Sequence, residues 1–170
     1  MILKIAGASL ILASSYLAGN TLVKQIIQRK KELETIQLLF EKMKEKALNN
    51  MNEISECIID SIGDLHFKCK NRFENLAKKL KNNQYTDFSQ AWEDTKCDMT
   101  PLKSDDIVIL DNFFTQTDST ALGMYIGRIE ETLKKIEENL NAINESLEKN
   151  KKMYYNICIC TGLLTVILLI

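Results

Sequence analysis

The feature that most constrains this 170-residue chain is where its charge is missing. All but Lys4 of its 22 Lys and Arg, and all 23 Asp and Glu, lie between Lys24 and Met153. The run from Ile5 to Val23, IAGASLILASSYLAGNTLV, is uncharged. At about 1.5 Å of helical rise per residue it matches the roughly 30 Å of bilayer hydrocarbon. From Tyr154 the chain closes as YYNICICTGLLTVILLI, again without charge, to Ile170. The sequence therefore predicts an N-terminal transmembrane helix within 1–23, a soluble domain over 24–153 and a C-terminal transmembrane helix over 154–170.

Orientation follows the Lys and Arg that flank such spans. Lys24, Arg29, Lys30 and Lys31 follow the first run, and Lys149, Lys151 and Lys152 precede the second, against Lys4 and the amino terminus on the far side. The central domain is expected to be cytoplasmic. A cleavable secretory signal is the competing reading of the first run. Leu17-Ala18-Gly19 imitates a lipoprotein signal, but Asn20 stands where the lipidated cysteine would be.

A net charge of −1 gives no bulk attraction to nucleic acid. Cys57, Cys69 and Cys97 are an odd three without metal-ligand spacing, and Cys158 and Cys160 fall in the second span. All five read as small buried side chains, which suits a reducing compartment.

One proline, Pro101, and long Glu, Lys, Leu and Ile stretches predict an all-α domain. Leu33, Ile36, Phe40, Met43 and Ala47 form an apolar stripe on a helix that continues the first span and ends at Asn49-Asn50. Shorter helices are expected over Glu53 to Ile62, closed by Gly63; over Leu65 to Lys81, ended by Asn82-Asn83; over Asp87 to Cys97, capped by Thr86 or Asp87; and over Ser104 to Phe114. The strongest periodicity comes last. Leu122, Ile126, Ile129, Leu133, Ile136, Leu140, Ile143 and Leu147 alternate spacings of four and three, a heptad seam on a helix starting near Asp118 or Ser119 and running past Met153. Both spans are thus extended by amphipathic helices that leave the membrane on one side. The architecture expected is a helical bundle on an antiparallel juxtamembrane stalk, with pairing of the seam across two chains, a homo-oligomer, as the alternative.

Chemistry is hard to find. His66 is the only histidine, which removes His-based metal clusters and makes a catalytic triad improbable. No glycine-rich phosphate cradle occurs. Glu130-Glu131 and Glu137-Glu138 interleave with Lys134-Lys135 and read as ion pairs on a solvated face rather than as acid/base catalysts. Gly123 and Gly127 allow a close backbone approach. Trp92 reads as a core anchor, and Asn20 either joins the two spans by a hydrogen bond or sits at the interface. No catalytic, cofactor-binding or metal-binding residue is assigned.

Leu3-Lys4 with Gly7 and Gly19, Arg29 and Leu33, Ala91-Trp92, Asp106 with Leu110 and Phe113, Ile129, Leu133 and Ile136, and Lys152-Met153 before a terminal V-I-L-L-I form one arrangement along nearly the whole chain. It resembles the stage III sporulation protein AB family of endospore-forming Firmicutes. The family's F-G-x-x-L-G-x-x-D-x-x-x-Q stretch is largely lost. Read without gaps it falls on Phe113 to Tyr125, where only Phe113 survives. Shifted, it finds Gly123 and Gly127, with Glu130 in place of the Asp and Lys134 in place of the Gln. The resemblance implies a mother-cell membrane protein in the channel-like complex around the engulfed forespore, similar to the helical domains of type II secretion and pilus platform proteins. It also implies a companion cytosolic ATPase and other membrane subunits as partners. A self-associating membrane coiled-coil scaffold or sensor is the alternative of another class; a membrane enzyme would need ionisable groups within the spans, and neither span has a charge.

Overall fold

The structure, a computed structural model, describes residues 2–50, 54–63, 65–82, 88–116 and 122–169. The side chains of 2–6, 8, 9, 12, 50, 54, 122, 123, 150–152, 154, 155, 168 and 169 lie outside that description. The described residues form six helices and no strand: α1 Ile2–Asn50, α2 Ile54–Ile62, α3 Lys70–Lys81, α4 Phe88–Glu93, α5 Ser104–Gln116 and α6 Leu122–Leu169. The all-α class holds.

The chain divides into two compact units. One comprises Met1–Gln28 and Asn141–Ile170, the other Arg29–Leu140. The first unit exposes large apolar side chains, among them Leu10, Leu17, Ile157, Leu164 and Ile167. Its threonine hydroxyls turn back onto their own helices: Thr21 donates to the Leu17 carbonyl at 2.9 Å, and Thr161 to the Ile157 carbonyl at 2.8 Å. Among the described residues no helix is long and apolar enough to cross a membrane. The apolar runs 5–23 and 154–170 each include residues whose side chains lie outside the described set.

The second unit holds the central core. Leu33, Ile36, Leu39, Phe40 and Met43 from α1 are buried with Ile58 of α2, Phe73 and Leu76 of α3, Trp92 of α4, Leu110 and Phe114 of α5 and Ile129 of α6. The α1 stripe expected from spacing is buried throughout, Ala47 included. On α6 the buried face keeps the seam positions Ile129, Ile136, Leu140 and Ile143 but is wider than the heptad seam. Tyr125, Ile129, Thr132, Ile136 and Leu140 are buried, while Ile126 and Leu133 are half-buried. The reason is that α6 meets more than one neighbour here. Lys44 of α1 reaches Glu130 at 2.7 Å, Phe113 of α5 packs against Tyr125 at 5.9 Å, and Asp106 of α5 bonds Asn139. A strict two-helix seam buries a narrower stripe.

Two short helices differ from expectation. The helix expected over Leu65 to Lys81 begins only at Lys70, because Glu32 of α1 takes the N–H groups of Lys68 and Cys69 at 3.0 and 2.8 Å. Donors held by a carboxylate on another helix do not close a helical turn of their own. The helix expected over Asp87 to Cys97 ends at Glu93. There the Thr95 hydroxyl and backbone N–H both donate to the Trp92 carbonyl, at 2.8 and 3.1 Å, and tighten the chain out of the helix. Gly63 closes α2 at φ +25°, where a side chain would be strained. The caps expected at Thr86 or Asp87 and at Asp118 or Ser119 lie outside the described residues.

Candidate functional site

Among the described residues of the Arg29–Leu140 unit, buried charged side chains lie at three places, each where separate elements meet. The first is Asp106, at the third position of α5. Its side chain has no exposure. One oxygen accepts from Arg29 Nε at 2.6 Å and from the Lys103 backbone N–H at 3.0 Å. The other accepts from Arg29 Nη2 at 2.8 Å and from Asn139 Nδ2 at 2.9 Å. The bond to Lys103 is the reciprocal half of a capping box; the rest join α1, α5 and α6. Burial alone pushes this carboxyl up, yet the bonds from Arg29, Lys103 and Asn139 outweigh it and hold it below the usual carboxylate value.

The second place is Glu32, buried beside the turn it organises. Cys69 lies there too, its thiol pushed strongly up, first by burial and then by the Glu32 carboxylate. Such a thiol is a poor nucleophile.

The third place is an aromatic cluster capped by a cation. Trp92 stacks on Phe114 at 4.2 Å, Phe73 packs on Phe114 at 5.9 Å, and Phe40 meets Phe113 edge-on at 4.8 Å. The indole N–H donates to Asp111 at 2.7 Å. Arg72, only 3% exposed, lies over the Trp92 ring at 3.5 Å. Its hydrogen bonds run to the Met99 sulfur and the Trp92 carbonyl, and its Nε has no partner among the described residues. Burial draws the guanidinium below its ordinary value, opposed by Asp111.

Trp92 is the core anchor its uniqueness suggested. Cys57 and Cys69 are buried as expected, but Cys97 and Cys160 are exposed and Cys158 is half-buried, so the buried reading fails for those three. His66 is exposed in the turn ahead of α3 rather than at a helix start. Glu131 pairs with Lys135 at 2.6 Å as the spacing implies, whereas Glu130 reaches across to Lys44 of α1. Among the described residues a Cβ at Gly127 would meet nothing within 4 Å, so none of their backbones approaches closely there; the surroundings of Gly123 lie outside the described residues. Sequence reasoning missed the Arg29, Asp106 and Asn139 junction and the position of Arg72. The available signal was that Arg29 shares a helix face with Leu33, and Asn139 with Ile136, so each polar residue borders a core stripe.

The carboxylates of Asp106 and Glu32 are spent on holding separate elements together, whereas the Arg72 Nε is left without a partner among the described residues. Among the described residues no group of three or more His, Cys, Asp or Glu is placed to hold a metal ion. What the second unit presents to solvent is a folded helical surface, with a hollow on each side of α3. Neither the curated proteins nor the solved structures compared with the chain give a match. The family described as stage III sporulation protein AB matches over residues 4–170, nearly the full length, and the chain belongs to that family.

Proposed function

We propose that this chain is a non-enzymatic platform subunit of the sporulation complex between mother cell and forespore. The first unit anchors it in the mother-cell membrane, and the second presents its helices to a cytosolic ATPase in the mother-cell cytoplasm. The observation that carries the reading is the contrast between the units. Exposed Leu10, Leu17, Leu164 and Ile167, with hydroxyls bonded inside their own helices, suit a hydrocarbon environment in which no water satisfies polar groups. The Arg29–Leu140 unit packs its aromatic side chains and most of its large aliphatic ones inward, with Leu38, Leu48, Ile59, Val108 and Met124 left at the surface, which suits a docking body. The basic flanks at Lys24, Arg29, Lys30 and Lys31 and at Lys149, Lys151 and Lys152 favour a cytoplasmic face for it. The two long helices then form an antiparallel stalk. Within the second unit, Arg29 and Asn139 meet at Asp106 while Lys44 meets Glu130, an order of contacts that suits opposite helix directions.

Titration calorimetry of the full chain in detergent micelles against the companion secretion-type ATPase tests the reading. Micromolar binding that survives moderate salt is the expected result. No binding at either low or moderate salt, or normal sporulation of a deletion strain, would overturn it.

A self-associating scaffold is the second reading, favoured by the half-buried Ile126 and Leu133 on the seam. Sedimentation of the full chain separates the two. Concentration-dependent dimers that Leu133→Glu disperses would support the scaffold.

A further inference from the structure

Arg29 is half-buried and Arg72 buried, and their charges are met differently. Arg29 is held by both oxygens of Asp106. Arg72 has Asp111 as its only ion-pair partner among the described residues, at 3.8 Å, and that Asp111 oxygen already accepts from the Trp92 indole. Its Nε is without a partner among the described residues. A buried cation without a hydrogen-bonded counter-ion is costly, and the Trp92 ring offsets only part of that.

Arg72 lines a groove of about 270 Å³ between α3 and the chain that leaves α4. Lys78, Lys79 and Lys96 line it too, and Asp94 is the single carboxylate among its lining residues. Lys79 is paired with Asp94, and Lys96 with Glu93 outside the groove. Lys78 has no ion pair among the described residues. The excess positive charge therefore rests on Lys78 and Arg72. On the other side of α3 a second hollow, about 300 Å³, is lined by Ile59, Ile62, Gly63, again Lys78, and Glu74, whose carboxylate is paired with Lys70 at 3.8 Å. Ile59 is 38% exposed there. An apolar hollow and a basic groove thus share one lysine as their common edge.

We propose that this pair of hollows receives one segment of a partner protein, an apolar side chain entering beside Ile59 and Ile62 and a neighbouring carboxylate bonding Lys78 and drawn towards Arg72. The inference rests on the docking reading above for the occupant being a protein. A lipid surface fits less well, because Asp94 and Glu93 would face the headgroups together with the lysines, and a recess engages side chains better than a plane.

The probe is a fluorescent peptide with a central Leu-Glu-Glu in a Gly-Ser background, titrated by anisotropy into the full chain in detergent micelles, beside the same peptide carrying Gln for Glu. The acidic peptide is expected to bind at least about tenfold more tightly, as one charge-assisted hydrogen bond allows. Lys78→Glu should remove that preference and favour a peptide with Lys for Glu, and Lys78→Gln should remove it without reversal, while Lys135→Glu on α6 leaves it unchanged. Equal binding of the two peptides, no binding of either, or indifference to Lys78 would overturn the proposal. So would vesicles containing about one third phosphatidylglycerol that displace the peptide and themselves bind through Lys78. The ATPase titration keeps the two readings apart. If the ATPase binds the wild-type chain and its Lys78→Glu variant equally, the groove assignment falls and the platform stands. If the ATPase fails to bind while the peptide preference holds, the platform reading falls and the groove stands.

Discussion

The guanidinium of Arg29 grips the fully buried carboxylate of Asp106 through two hydrogen bonds, 2.6 and 2.8 Å long, across 77 residues of chain. Removing one member of such a pair strands the other. Arg29→Ala is expected to destabilise the protein by about 3–5 kcal/mol. Thermal unfolding followed by circular dichroism of the full chain in detergent measures it, and a loss below about 1 kcal/mol would mean the pair is not intact in solution.

Acid should reveal the same carboxylate. Because Asp106 is held below its unfolded value, its contribution is complete above the unfolded pKa of about 3.9 and is lost as pH falls through the lower folded value. Between about pH 5 and pH 3 the melting temperature of the wild type should fall more steeply than that of Asp106→Asn, which has no such proton to take up. Parallel curves would contradict the assignment.

A surface pair gives the contrast. Lys44 and Glu130 lie 2.7 Å apart, but with side chains 33% and 55% exposed they are largely screened. Lys44→Ala should cost less than about 1 kcal/mol. A loss comparable with that of Arg29→Ala would mean the α1 to α6 contact depends on this pair and not on the core beneath it.

Ile136 is 1% exposed and Leu133, on the same seam, is half-buried. Ile136→Asp buries a carboxylate with no partner and should cost several kcal/mol, about 3 or more, with Leu133→Asp costing clearly less. Equal losses in unfolding experiments would mean that Leu133 is as deeply buried as Ile136, as a strict heptad seam requires.

Thiol chemistry reports the same packing. Cys97 is exposed, whereas Cys57 and Cys69 are buried, with thiols that burial pushes up. In single-cysteine variants, Cys97 should react with an aromatic disulfide reagent promptly, and Cys57 and Cys69 only on unfolding. Cys97 is therefore the reporter to use for membrane orientation in intact cells. Labelling by an impermeant reagent without lysis would refute a cytoplasmic face for the second unit.

The apolar side of this fold was legible because helices write their buried face at a period of 3.6. Leu33, Ile36, Phe40, Met43 and Ala47 were readable as one stripe and are one. The polar side was not. Glu32, Arg29 and Asn139 border the same buried faces, but their partners are 36, 77 and 33 residues away, and spacing along one helix does not indicate such distant contacts. That is why periodicity alone places the start of α3 at Leu65 while the helix begins at Lys70, beside the contacts of Glu32. Trp92 could be assigned to the core from its rarity, while the guanidinium over its ring could not. The hollow beside Lys78 was equally hidden, since Lys78 and Lys79 look in sequence like the ordinary solvated end of a helix.

The carboxylate of Glu32 also determines where this chain can be cut. Charge alone would place the limits of a soluble fragment at Lys24 and Met153, and core packing would tempt one to trim further into α1. A piece beginning after Glu32 would leave the N–H groups of Lys68 and Cys69 uncovered at the start of α3, and one ending before Asn139 would take a donor from Asp106. A protease probing the intact protein faces the same geometry. Nicks outside Arg29 to Asn139 spare these bonds, whereas a nick between Arg29 and Glu32 leaves α3 joined to a loose end.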